Sequence, residues 1–258
     1  MRENVSFEKH SFSKTLALEP SDKAAFKRGE KVEPKKPIVF YIDTLMPDSW
    51  KPYIKEGVEE WNKSFEKIGY LNAVQAKEWP KGTDFSSSNI RHSSICYAPD
   101  WMYMAQTSMH TDPRTGEILN ASVYIHHNFL SLLYSGRCTQ TMASDPTART
   151  LTLSEKQMGE LLKVGIAQQV GRCLGLTDNM GASYHYPVDS LRSAEFTRQH
   201  GLTASVMDNI MCNYIAQPED VEKGAVLVQP GIVRMTISQF VICMLLLLLI
   251  SRRRNSLL

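Results

Sequence analysis

One stretch constrains this chain more than any other: Ile166-Ala167-Gln168-Gln169-Val170-Gly171-Arg172-Cys173-Leu174-Gly175-Leu176-Thr177-Asp178-Asn179-Met180. Gln168 and Arg172 are one helical turn apart, so a helix here carries both on one face. Upstream, Ser154 with Gln157 forms a capping-box pattern, which predicts a helix over about 154–174. Gly175 ends it, because glycine lets the chain leave a helix sharply, and Asp178 arrives from beyond that turn. The frame is Q-Q-x-x-R-x-x-G-x-x-D. Its spacing is that of H-E-x-x-H-x-x-G-x-x-H, with all four functional letters changed.

In the unchanged motif two histidines and a third from beyond the glycine hold a zinc ion, and the glutamate is the general base for metal-bound water. Here the ligand positions read Gln168, Arg172 and Asp178, and the base position reads Gln169. A neutral amide is a poor zinc ligand, a guanidinium cannot deprotonate, and one carboxylate cannot hold the ion alone. Each replacement is one nucleotide from the expected codon, as substitution in a once-active gene would leave it. A helix that simply ends at glycine would look the same over this stretch; longer strings decide the matter.

Those strings are Leu18-Glu19-Pro20, Phe26-Lys27-Arg28-Gly29-Glu30, Val32-Glu33-Pro34-Lys35-Lys36-Pro37-Ile38-Val39-Phe40-Tyr41-Ile42-Asp43 and Trp50-Lys51-Pro52-Tyr53-Ile54-Lys55-Glu56-Gly57-Val58-Glu59-Glu60-Trp61-Asn62. Further on come Asp112-Pro113-Arg114-Thr115-Gly116-Glu117-Ile118, Tyr186-Pro187-Val188-Asp189-Ser190-Leu191-Arg192-Ser193 and Ala216-Gln217-Pro218-Glu219-Asp220. From about Leu18 to about Gly224 the chain resembles large bacterial envelope-associated or secreted zinc metallopeptidases of the metzincin type. The resemblance implies a zincin-like α/β (α+β) domain, a twisted mixed sheet backed by two long helices with a small irregular C-terminal subdomain. It also implies a Met-turn like S-I-M-D-Y, here Ser205-Val206-Met207-Asp208-Asn209. Met207 keeps the apolar floor, and Asn209 stands where a tyrosine supports the metal or the oxyanion. Family members are much longer, so the resemblance reads this chain as degenerate and truncated.

The strand and helix pattern fits that expectation. Ile38–Ile42 is a short apolar run between Pro37 and Asp43, read as a buried strand. Tyr53, Ile54, Val58, Trp61, Phe65 and Ile68 recur at helical spacing, predicting a backing helix over about 50–68 that stops at Gly69. Strands are expected near 73–77, 90–97, 102–110 and 117–126, the last two joined in a hairpin by Asp112-Pro113-Arg114-Thr115-Gly116. Residues 1–36 are polar and read as a loose arm or the remnant of an upstream domain. The peptidase-like domain is placed at 37–228. Beyond Gly175 the chain reads as mostly irregular.

Composition excludes little else. A net charge of +2 favours neither nucleic acid nor an acidic partner. Five cysteines, at 96, 138, 173, 212 and 243, form no C-x-x-C pair and are odd in number, so no disulfide framework is expected. His126 and His127 would point to opposite faces of a strand, and His92, His110, His185 and His200 are isolated, so no relocated metal site is expected. Met1–Phe7 has no apolar leader core, although the family is extracytoplasmic. Residues 229–258 read as an unrelated apolar tail appended by a frame change near Gln229–Ile232. Its run Ile237–Ile250, followed by Ser251-Arg252-Arg253-Arg254, falls short of the ~20 residues a span needs. Membrane association through it is the second reading.

The functional expectation is a metzincin-family member that neither binds zinc nor hydrolyses peptides, with no cofactor. The alternative is a non-catalytic binding module: the edge strand of a zincin cleft, about Met102–His110, can pair with extended peptide without any metal. A still-active metalloendopeptidase is the third reading.

Overall fold

The computed structural model describes residues 18–80, 89–233 and 237. In chain order the elements are α1 (Lys23–Lys27), β1 (Ile38–Ile42), α2 (Lys51–Glu59), α3 (Asn62–Lys67), β2 (Val74–Glu78), β3 (Ser93–Ala98), β4 (Ala105–Thr111) and β5 (Ile118–His126). Then come α4 (Phe129–Thr141), α5 (Glu155–Cys173), α6 (Ala194–His200) and α7 (Pro218–Glu222). Strand alternation builds one five-stranded sheet in the order β2-β1-β3-β5-β4. The first three pairings are parallel, and β4 returns antiparallel to β5 as the edge strand. The β4–β5 turn is held by the Asp112 carboxylate, which accepts from the Arg114 backbone N–H at 2.8 Å, and by Gly116 at φ 76°.

The inward positions of the strands, Phe40, Ile42, Val74, Ala76, Ile95, Ala121, Val123 and Ile125, form one apolar cluster with α2, α3 and α5. Ile54, Val58, Trp61, Phe65, Leu162, Ile166 and Val170 come from those helices and are essentially inaccessible to water. Each such side chain contributes roughly 1.5–3 kcal/mol by leaving water. Helices α2 and α5 lie against each other while both contact the sheet, so they share one face of it. Their approach is set by Gly57: a Cβ there would lie 2.6 Å from the Lys163 carbonyl oxygen.

The single backing helix expected over 50–68 is two helices. The break falls at Glu60–Trp61, where Lys63 N–H donates to the Glu60 carbonyl in a tighter turn. The turn swings Trp61 inward, and its indole Nε1 donates to the Ala167 carbonyl of α5 at 2.9 Å. Helix α4, between β5 and α5, has no counterpart among the expected elements. It is anchored by Arg137, whose guanidinium pairs with Asp145 with both side chains buried. Residues 18–36, read as a polar arm, pack onto the body where described. Val32 bridges Tyr70 in parallel, the Phe26 and Tyr70 rings stack at 5.0 Å, and the Tyr70 hydroxyl donates to the Leu18 carbonyl.

Gln229 and Ile232, at the head of the segment read as a tail, are buried. The Gln229 side-chain oxygen accepts from the Leu202 N–H at 2.7 Å, and Ile232 joins the main apolar cluster. The rest of the apolar run, from 238 onward, lies outside the described residues, as do residues 1–17 of the arm. Among the described residues no helix is long and apolar enough to cross a membrane.

Gly57→Ala is expected to destabilise the protein by about 1–3 kcal/mol, because backbone rather than a flexible side chain blocks the new methyl. Gly181→Ala is the control. Its Cβ would meet only the Asn179 side-chain oxygen, at 3.7 Å, and the change should stay within about 0.5 kcal/mol. Urea unfolding of the two variants measures both.

Candidate functional site

Helix α5 presents the degenerate motif, and its two ends are fixed by local chemistry. Ser154 and Gln157 make the reciprocal capping box at its start. At its end Leu176 N–H donates to the Gly171 carbonyl across Gly175, whose φ is 92°. That is a Schellman cap, in which a left-handed residue satisfies the last helical carbonyls. The chain then turns back and places Asp178 beside the helix.

Arg172 Nε and Nη2 both donate to Asp178 Oδ1, at 3.0 and 2.7 Å. The second and third ligand positions are therefore joined directly to each other. Gln168, at the first position, donates from its amide nitrogen to the Asp208 carbonyl at 2.9 Å. The Asn179 N–H in turn donates to the Met207 carbonyl at 2.9 Å. The helix, the segment leaving it and the Met207 turn are thus tied in a closed circuit by protein groups alone. Gln169, at the base position, is buried, and its amide cannot take up a proton near neutral pH.

Below this circuit lies Met207, which is buried and sits against Gly171 and Trp61. A Cβ on Gly171 would come within 2.6 Å of the Trp61 ring, so this glycine makes room for the floor of the site. The turn is held by Asp208, whose buried carboxylate accepts from the Thr203 hydroxyl at 2.7 Å and from the Asn209 N–H at 2.8 Å. Asn209 itself is exposed.

The histidines go to separate partners. His126 Nδ1 meets the Asp100 carboxylate at 2.7 Å, and His127 Nδ1 meets the Tyr97 hydroxyl at 2.6 Å. Among the described residues no three His, Cys, Asp or Glu side chains are grouped to hold a metal. Cys173 is buried in the main apolar cluster, and burial pushes its thiol up to about 12. Sequence reasoning singled out Gln168, Arg172, Asp178 and Met207 but missed the bonds they make. The Arg–Asp pair carried a signal, opposite charges on either side of a helix-ending glycine. The Gln168–Asp208 link, between residues far apart in the chain, carried none.

Residues 150–234 match the Met-zincin family, a stretch that takes in α5, Gly175, Asp178 and the Met207 turn. That part of the chain is similar to metzincin-type domains. No curated protein matches the sequence. One solved structure, the GM1-bound form of the ECX AB5 holotoxin, is similar at a TM-score of 0.42 and 15% identity, covering 80% of this chain and 80% of that one. A likeness that slight carries no argument.

Met207→Ala should cost about 2–5 kcal/mol in thermal or urea unfolding, the usual penalty for emptying a buried methionine site. Cys173 gives a pH test. With a thiol raised to about 12, roughly one molecule in ten thousand carries the thiolate at pH 8. Native Cys173 should therefore resist iodoacetamide at that pH and react once the protein is unfolded in urea, as peptide mapping by mass spectrometry would show.

Proposed function

We propose that this chain is a metzincin-type domain in which an ion pair and an amide hydrogen bond replace the metal, so that it neither holds zinc nor hydrolyses peptides. The observation that carries the reading is the Arg172–Asp178 pair at 2.7 Å, which takes up two of the three ligand positions. Catalytic zinc requires three protein donors and an open place for water. Arg172 offers only N–H groups and a fixed positive charge. Asp178 is neutralised by it, and Gln168 turns its amide nitrogen to a backbone carbonyl. The residues present do not fit the ion. Gln169 completes the loss, since its neutral amide cannot take up a proton near neutral pH. The mixed sheet with one antiparallel edge strand, and α2 and α5 sharing a face, is the arrangement we read as zincin-like.

A second reading keeps a binding role. Among the described residues strand β4 pairs only with β5 in the sheet and leaves its outer backbone edge unpaired by any strand. Just before it Trp101 is 77% exposed and Tyr103 58%, with Met102 and Met104 also exposed. An open edge beside exposed aromatic and thioether side chains suits an extended peptide, whose backbone adds a strand while its side chains find apolar contact. This use of the fold needs no metal.

Elemental analysis of the purified, dialysed protein should find far less than one equivalent of zinc, and fluorogenic peptides should remain uncut. Stoichiometric zinc, or cleavage abolished by a chelator, would overturn the reading. The combined change Gln168→His, Gln169→Glu, Arg172→His and Asp178→His should restore zinc binding, since the helix, its cap and Gly175 are in place. Hydrolysis should lag behind metal binding, because Asn209 stands at the tyrosine position and catalysis needs base, water and oxyanion support together. A folded quadruple variant without zinc affinity would mean that residues 168–178 are not in the metzincin register.

A further inference from the structure

The Arg172–Asp178 pair uses only part of the guanidinium. Nε and Nη2 both point at one carboxylate oxygen, Oδ1. Among the described residues Nη1 makes no hydrogen bond, and it is not sealed from water: the unpartnered buried side-chain atoms do not include it. The end of the guanidinium, with the two Nη1 hydrogens and the second hydrogen of Nη2, is therefore an open fork. Such a fork matches a carboxylate with two parallel N–H···O bonds, the strongest neutral-pH geometry an arginine offers. The Arg172 side chain is 28% exposed, enough to be reached and little enough to be held, and it sits on the face of α5 that carries Gln168.

Asp178 is a weak resident partner. Its side chain is 43% exposed and its contact is one-oxygen, and exposed pairs of that kind hold weakly. A second carboxylate can use the free fork or displace Asp178 altogether. We propose that the former metal position is a carboxylate-binding subsite, in which Arg172 anchors an acidic side chain of an extended peptide and Asp178 acts as the internal competitor. The proposal rests on the peptide-binding reading of the β4 edge. It adds a specificity which that reading does not contain: acidic over neutral, set by one residue.

The test measures binding by fluorescence anisotropy to labelled extended peptides, acetylated and amidated so that their ends carry no charge. A peptide with a central Glu is compared with its Gln counterpart, and a third peptide has Gln at the centre and a free C-terminus. The Glu peptide should bind about tenfold more tightly than the Gln peptide, the difference one charge-assisted contact supplies. Arg172→Gln should erase that preference while leaving the weaker Gln-peptide affinity in place, and Arg172→Lys should retain part of it. Asp178→Asn should raise affinity for the Glu peptide severalfold, a gain that a damaged fold could not produce. Equal binding of Glu and Gln peptides by the wild type and by Asp178→Asn would overturn the subsite and leave the peptide-binding reading standing. Preference for the free C-terminus over the internal Glu would overturn the assignment to an acidic side chain. Failure of every peptide to bind would overturn both.

Discussion

The contact on which the rest of this structure depends is the indole of Trp61 against α5. Its ring is fully buried, and its one polar atom is satisfied by the Ala167 carbonyl, one residue before the degenerate motif begins. A buried indole N–H without a partner would cost about 1–3 kcal/mol, so this bond fixes where the backing helices meet α5. The same ring bounds the space over Gly171, and Met207 fills the other side of it. Helix, Met-turn and sheet are registered through one aromatic side chain.

Given that registration, the fold does not rest on the polar positions of the motif frame. The apolar cluster runs from the sheet through α2, α3 and α5 to Val206, Met207 and Cys212 without passing through any of the motif's polar positions. What a metal would otherwise join is joined by protein groups: Gln168 to the Met-turn backbone, Asn179 to the same turn, and Arg172 to Asp178. These bonds are individually modest. They also keep the positive charge of Arg172 beside Asp178.

Much of the fold was legible because alternation and capping are local. Ile38–Ile42 is a strand with the expected bounds, and the Ser154–Gln157 box starts α5 at the expected residue. The turn at Asp112–Gly116 makes the expected hairpin. What escaped was set by tertiary contact. Glu60 and Trp61 have nothing helix-breaking in their side chains, so the break between α2 and α3 left no local signal. Helix α4 lacks a strong apolar stripe because one of its inward positions is Arg137, legible as buried only once Asp145 is known to face it. Polar composition likewise disguised residues 18–36, where a few side chains, Phe26 and Val32 among them, supply the docking surface. At the site the residues standing in the motif frame were legible, and what they do for one another was not.

Two of the arginine–aspartate pairs of this molecule show why one is structural and the other available. Arg137 and Asp145 have side-chain exposures of 6% and 8%, and Asp145 also caps the 3₁₀ turn Pro146–Ala148 through the Thr147 N–H. Both charges have given up water, so removing one partner strands the other and costs about 3–5 kcal/mol. Arg172 and Asp178, at 28% and 43%, keep much of their hydration. Breaking that pair exposes two groups to water that each already touches, so little is lost. The chemistry of the two pairs is the same, and burial alone decides that the first holds α4 in place while the second can exchange its carboxylate for one brought from outside.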